Sequence, residues 1–429
     1  MADRRAPAAK TGLMLRAYLL AVRGLAPFLP GYLQRRLARG REDPVRWREK
    51  LGEAGLPRPD GPLVWLHAVG LGEVLALRGL ITAMGRARPD LSFLVTSSAR
   101  SSAQAFAGNM PARTQHQFLP LDAPGPVASF LDHWQPDAAI WAEQDLWPGA
   151  VVASHARGIP LALINARMNA RAYAARRRAR GLYRDLYARF IHISAQDAET
   201  AAHLRGLGAG QVGVTGSLKA GAGPLADQPG DRAKVQAAIA GRKPWLAASS
   251  HAADEAVAIA AQAALFAADP ARLLIIAPRD PARRGAILVA CRAAGLPVAV
   301  RSLGDLPRHG DAVYLADTFG EMGLWYRLAP AALIGGALGE TGGHNPWEAA
   351  HLGSAVLHGA NVANFAGDYA ALHAVGAATK LTDAAGLIAA LQDPDLPVQA
   401  VCGSALAQRG MVGMDVLCAT LLALLPRAA

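Results

Sequence analysis

The segment Leu63-Val-Trp-Leu-His-Ala-Val-Gly-Leu-Gly-Glu-Val74 runs from an apolar strand through a glycine-containing turn into the start of a helix. Leu63 to Val69 is a short run that is apolar apart from His67, the pattern of a strand buried on both faces of a parallel sheet. Gly70 and Gly72 permit a tight turn, and Glu73 falls in the first helical turn, where the macrodipole favours a negative side chain. Leu75 stands where the third glycine of a dinucleotide fingerprint would be, so this is a different kind of turn. Glu73 has two readings at this point. It is a helix-start residue, or a carboxylate held ionised at the end of a strand and able to act as general base towards a sugar hydroxyl.

Outward from this segment the same alternation repeats. Strands are expected at Ser92–Thr96, Gln117–Leu121, Ala138–Ala142, Leu161–Asn165, Phe190–Ser194 and Val212–Thr215. After a stretch rich in Gly, Pro, Ala and Asp from Gly216 to Gly230, a second series follows at Trp245–Ala248, Leu273–Ala277, Val298–Arg301, Ala312–Leu315, Ala332–Ile334 and Ala355–Leu357. Strands separated by helical segments of this length pair in parallel, with helices covering the sheet. The pattern predicts an α/β chain of two similar domains joined near residue 225, facing across a cleft. Ligands in such sheets bind outside the carboxyl ends of the strands.

Hydrophobic residues make up 52% of the 429 residues and charged residues 18%, which excludes a disordered chain and a multi-span membrane protein. The formal charge of +11 favours anionic partners such as phosphorylated substrates or lipid head groups. Zinc-finger spacing and aromatic RNA-binding sheet motifs are missing, so nucleic acid is not an expected partner. Cys291, Cys402 and Cys418 are widely spaced and fit a reducing compartment better than a disulfide framework. No histidine spacing suggests a metal site. Leu13 to Pro30 is mostly apolar, with Arg16 and Arg23 on nearly one helical face and a basic run through Arg35, Arg36, Arg39 and Arg41 behind it. That pattern suits a helix lying in the cytoplasmic interface of a membrane, or one that packs on its own domain.

Other strand ends carry candidate chemistry. In Gly335-Gly-Ala-Leu-Gly-Glu-Thr-Gly-Gly-His-Asn-Pro-Trp-Glu348, a glycine-rich loop meets a helix. Asn345 suits the N-cap, Pro346 the first helical position and Glu348 the third position of a capping box. The same loop is suited to an anion, with Glu348 accepting hydrogen bonds from ribose hydroxyls. Ala316-Asp-Thr-Phe-Gly-Glu-Met-Gly-Leu-Trp325 is a further junction of this kind, and Ile276-Ala-Pro-Arg279 releases an arginine suited to phosphate or carboxylate. Ala142-Glu-Gln-Asp-Leu-Trp-Pro148 places Glu143 and Asp145 just beyond a strand. Arg171, Arg176, Arg177, Arg178, Arg180 and Arg184 form a basic run, either a solvated face or a holder of acceptor phosphates.

In this order, these segments resemble the bacterial 3-deoxy-D-manno-octulosonic acid (Kdo) transferases of lipopolysaccharide synthesis. Further matching pieces are Phe118-Leu-Pro-Leu-Asp, Ile159-Pro-Leu-Ala-Leu-Ile-Asn-Ala-Arg167, Val214-Thr-Gly-Ser-Leu-Lys219 and Gly342-Gly-His-Asn-Pro-Trp-Glu348. The resemblance implies a GT-B glycosyltransferase of two Rossmann-like domains. It implies a membrane-associating segment over residues 1–50, an acceptor domain over 51–220 and a donor domain over 221–429. It also implies an inverting, metal-independent transfer of Kdo from CMP-Kdo, with no cofactor, to a phosphorylated lipid A precursor (lipid IVA) at the cytoplasmic face of the inner membrane. The family's catalytic base falls on Glu73 and a family acidic residue on Glu143. The CMP contacts fall on Pro278 and Arg279, on Phe319, Gly320 and Glu321, and on Asn345, Pro346, Trp347 and Glu348. Two positions depart from the family pattern: Leu71 replaces a serine, and Asp280 replaces a histidine beside Arg279. A UDP-sugar transferase or epimerase of the same fold is the enzymatic alternative, and a silent glycolipid-binding homologue is the non-enzymatic one.

Overall fold

The computed structural model describes residues 9–108 and 110–426. The chain divides into two compact units, residues 1–222 with 412–429, and residues 223–411. The first is built on β1 (Leu63–His67), β2 (Ser92–Ser97), β3 (Thr114–Phe118), β4 (Ala138–Ala142), β5 (Leu161–Ala166), β6 (His192–Ala195) and β7 (Gly213–Val214). They pair in parallel in the order β3-β2-β1-β4-β5-β6-β7. Every residue of β1 is buried, with Val64 and Leu66 in one core and Leu63 and Trp65 in the core on the opposite face. That two-sided burial is why the strand reads as a nearly unbroken apolar run, with His67 at its end.

The second unit repeats the plan with β8 (Lys243–Ser250), β9 (Arg272–Pro278), β10 (Val298–Val300), β11 (Val313–Leu315), β12 (Ala331–Ile334), β13 (Ala355–His358) and β14 (Ala378–Lys380). The order is β10-β11-β9-β8-β12-β13-β14, again parallel. In each unit the chain winds away from its first strand in both directions. The carboxyl ends of β1 and β4, and those of β8 and β12, are therefore the switch points where such sheets bind ligands.

The structure differs from the sequence expectations most at two strands and at the two ends of the chain. β3 lies three residues before the expected Gln117–Leu121, because polar Thr114 and Gln115 occupy a half-buried sheet edge. β14 was not expected; it is a three-residue edge strand too short to show periodicity. The segment before residue 50 groups with the first unit: Leu15 and Leu33 are fully buried, the Gly12 N–H donates to Asp185 at 2.6 Å and the Tyr18 hydroxyl donates to Asp122 at 2.8 Å. Finally, Val412–Ala429 belongs to the first unit, whereas the sequence reading gave the second domain everything to residue 429. Met414, Leu417, Leu421 and Leu425 insert into the core beneath β1, which fixes that return.

Leu417 is 1% exposed, so Leu417→Ala should lower stability to denaturant by about 2–4 kcal/mol. Val416→Ala on the exposed side of the same helix should stay within about 0.5 kcal/mol. Urea unfolding of the two variants checks the assignment.

Candidate active site

At the first switch point, the helix Leu71–Ala87 starts directly after β1. Glu73 Oε2 accepts the backbone N–H of Gly70 at 3.0 Å and of Val69 at 3.3 Å, satisfying amides that the helix cannot pair. The helix-start reading of Glu73 is thus correct, and the same contacts hold its carboxylate at the strand end. A Cβ at Gly72 would lie 3.7 Å from Lys219 Nζ, so an ammonium stands beside this first turn.

Glu143 follows β4, the neighbour of β1, with a left-handed backbone (φ 64°). Its carboxyl is raised to about pH 7, first by burial and then by the negative charge of Glu73. Asp145 adds to the rise, while Lys219 and Arg167 oppose it. Asn165 Nδ2 and Gln196 Nε2 both donate to Glu143 Oε1, each at 3.4 Å. The side-chain oxygen of Asn165 in turn accepts the Leu218 N–H at 3.0 Å. The ends of β1, β4, β5 and β6 and the segment after β7 therefore converge on one polar cluster containing the carboxyl groups of Glu73 and Glu143.

The second switch point is organised by Asp254, which is fully buried in the first turn of the helix Ala252–Ala268. Its carboxylate accepts the N–H groups of His251 at 2.9 Å, Gly336 at 2.7 Å and Leu338 at 3.3 Å, joining the loops after β8 and β12. Gly335 has no alternative here, since a Cβ would lie 2.3 Å from the Ser249 carbonyl oxygen. Across this junction His251 Nε2 and His344 Nε2 lie within hydrogen-bond distance at 2.8 Å, with the rings stacked. The His344 imidazole is held below its ordinary pKa by burial, with His251 and Arg279 adding to the effect.

Pro278 closes β9 and Arg279 follows it, exposed, with its N–H donating to the Ser250 carbonyl at 3.0 Å. The charge of Arg279 bears on both His344 and Glu348, which brings these three residues together. The short helix runs Trp347–His351, one residue later than the capping-box reading required, with Pro346 at the cap position. Asn345 accepts the Trp347 N–H at 3.2 Å, and its amide faces Glu348 at 3.5 Å. Trp347 is buried and donates to Asp368, so it anchors the loop. Burial raises the Glu348 carboxyl, with Asn345 and Arg279 opposing.

Glu321 is placed differently. Arg301 grips both of its oxygens, the Nη2 contact being 2.7 Å, and Thr318 donates to it, so its carboxylate is committed to an ion pair that also takes in Asp231. Phe319 is 75% exposed and Gly320 has φ 83°, leaving an open loop next to that pair. Asp280 accepts the Ala282 N–H at 3.0 Å, so this departure from the family pattern caps the short turn Pro281–Arg283.

Sequence reasoning singled out Glu73, Glu143, Arg279 and Glu348 but gave no role to Lys219, Asn165, Gln196, His251, Asp254 or His344. Lys219, Asn165 and His344 lie inside the quoted motifs. Gln196, His251 and Asp254 carry no local signal beyond following a strand.

The UDP-GlcNAc 2-epimerase from Neisseria meningitidis, solved with UDP-GlcNAc, superposes with a TM-score of 0.50 over 85% of this chain and 100% of its own, at 13% identity. That likeness concerns the fold. Two doubly wound parallel sheets of this kind are the GT-B architecture of glycosyltransferases and their epimerase relatives. The family model described as 3-Deoxy-D-manno-octulosonic-acid transferase (kdotransferase) matches residues 45–222. The 3-deoxy-D-manno-octulosonic acid transferase of Bordetella pertussis is 34% identical over 380 residues, 86% of this chain and 88% of that protein. The probable mitochondrial enzyme of the same name from Arabidopsis thaliana is 33% identical over 363 residues, covering 82% and 80% respectively. The chain belongs to the 3-deoxy-D-manno-octulosonic acid transferase family, and it is a glycosyltransferase.

The raised Glu143 carboxyl has a consequence for stability. Its folded-state pKa of about 7 lies above the ordinary value of 4.5, so the folded chain binds more protons between those limits. Stability is therefore lost as pH rises from about 4.5 through 7. Glu143→Gln should be more stable than the parent at pH 8, by about 3 kcal/mol at full ionisation, and should match it near pH 4. Urea melts at the two pH values measure this.

Proposed function

We propose that the chain transfers Kdo from CMP-Kdo to a phosphorylated lipid A precursor, lipid IVA, with inversion and without a metal ion. Support for this reading comes chiefly from the placing of Glu73 beside Glu143, whose carboxyl is raised, at one switch point flanked by the cations Lys219 and Arg167. In the reaction Glu73 takes the proton of the acceptor hydroxyl as its oxygen bonds to the anomeric carbon and the bond to the CMP phosphate breaks. With Glu143 protonated, Glu73 retains the negative charge of the pair. The charge leaving with CMP is met by Arg279, while Asn345 and Glu348 offer polar groups to the nucleotide. Pro278, Phe319, Gly320, Pro346 and Trp347 shape the surrounding loops. Glu321 acts through its ion pair with Arg301 by holding the Phe319–Gly320 loop.

Association with the cytoplasmic face of the inner membrane completes the reading. The stretches Leu13–Ala38 and Leu396–Leu422 are long and apolar enough to cross a membrane by length and composition. The first packs Leu15 and Leu33 inward yet exposes Leu13, Leu20, Leu25 and Phe28 beside Arg16 and Arg23. An apolar face edged with arginine suits an anionic lipid surface.

Glu73→Gln should lower turnover about 10²–10⁴-fold while leaving the melting temperature within a few degrees of the parent. Mass spectrometry of lipid IVA incubated with CMP-Kdo and each protein reads the product. Transfer at the parental rate would remove Glu73 from the chemistry, and product formed only from a UDP-sugar would replace the donor.

A further inference from the structure

We propose that Asn165 and Gln196 are positioning residues for the transfer: they hold the Glu143 carboxyl in one orientation, leave Oε2 as its proton-bearing oxygen, and tie it to the segment that carries Lys219. The proposal rests on the reading of Glu143 as part of the reacting site and adds how that group is set.

The starting point is a fault in β5. The pairing of β5 with β6 shifts register between Leu163 and Ala166, and Asn165 at that bulge has φ 54°. Bulges of this kind re-aim a side chain next to functional sites, and asparagine is among the few non-glycine residues that accept the left-handed region readily. Here the bulge aims Asn165 at two partners. Its Oδ1 accepts the Leu218 N–H at 3.0 Å, and because a backbone N–H can only donate, the other end facing Glu143 must be the NH2 group.

Gln196 is oriented by the same logic. Its Nε2 donates to the Asn165 carbonyl oxygen at 3.1 Å, an unambiguous acceptor, so the group that also reaches Glu143 Oε1 is an NH2 group. Two donors of fixed identity thus meet one carboxyl oxygen. An oxygen that receives two N–H groups is kept as the carbonyl oxygen, and the proton resides on Oε2. Both contacts are 3.4 Å, long enough to orient the carboxyl without clamping it in the ionised state. The charged groups that bear on Glu143 are Glu73 from the helix after β1, Asp145 from its own loop, Arg167 from beyond β5 and Lys219 from beyond β7.

Asn165→Asp is the discriminating variant. Aspartate accepts the left-handed backbone and still takes the Leu218 N–H, but it exchanges the NH2 facing Glu143 for an acceptor. The expected result is a fall in kcat of about tenfold for Kdo transfer to lipid IVA, with KM for the lipid little changed. The limb of the pH–rate profile belonging to Glu143 should move to higher pH. The carboxyl carbon of Glu143, followed by NMR in labelled protein, should titrate at higher pH in parallel, a readout that does not depend on turnover. Gln196→Ala should shift both in the same direction by less.

In a Glu143→Gln background, Asn165→Asp should add less than about twofold, because its partner's titration is gone. A loss of the same size in both backgrounds, or an unmoved Glu143 titration in Asn165→Asp, overturns the proposal and leaves Asn165 a structural residue. Full transfer by Glu143→Gln alone would instead refute the role given to Glu143, and the carboxyl titration would still decide whether the two amides hold it.

Discussion

Glu143 lies half-buried just beyond β4 with the charge of Glu73 bearing on it, so burial and a like charge both oppose its ionisation, and the polar cluster of the first unit is arranged around that constraint. Glu73 has backbone amides at the start of its helix to stabilise negative charge. Glu143 receives long contacts from two side-chain amides, and burial raises its pKa. The sheet thus sets an amide-capped carboxylate beside a half-buried carboxyl whose pKa is raised to about 7, an arrangement suited to proton transfer. Lys219 and Arg167 oppose that rise, and the Glu143 carboxyl titrates near neutral pH.

The backbone around this pair is unusual for its residue types. Glu143 and Asn165 adopt left-handed conformations at adjacent strand ends, and Ser249 does so at the end of β8 in the second unit. Such conformations cost of order 1–3 kcal/mol each and persist where the surroundings over-determine them. Asn165 and Ser249 each coincide with a register shift, in β5 of one unit and β8 of the other. The two sheets thus carry the same kind of local distortion beside the switch points, and in the first it turns the Asn165 side chain towards Glu143.

In the second unit, Asp254 has the organising part. A fully buried carboxylate is tolerable only when its oxygens are well supplied with donors, and three backbone N–H groups from two loops do this. That arrangement fixes the glycine loop after β12 against the helix after β8 and sets His344 beside His251. Arg279 then faces a region where burial opposes both a protonated His344 and an ionised Glu348, so its own charge is the dominant one for an anionic ligand.

The strands, the glycine turns and the candidate carboxylates at strand ends follow from the sequence alone, because apolar periodicity and turn chemistry are local properties. Glu73 is visible in that way as the acidic residue one turn into a helix. Strand order is not local. Only the folded sheet sets β1 beside β4 and so joins Glu73 to Glu143, and only the bulge in β5 turns Asn165 towards them. The late start of the helix at Trp347, the capture of Glu321 by Arg301 and the return of Val412–Ala429 to the first core likewise depend on partners distant in the chain. Sequence set which side chains stand at the ends of strands; tertiary structure decided which of them share a site, since burial and charge coupling arise from neighbours that the linear order does not specify.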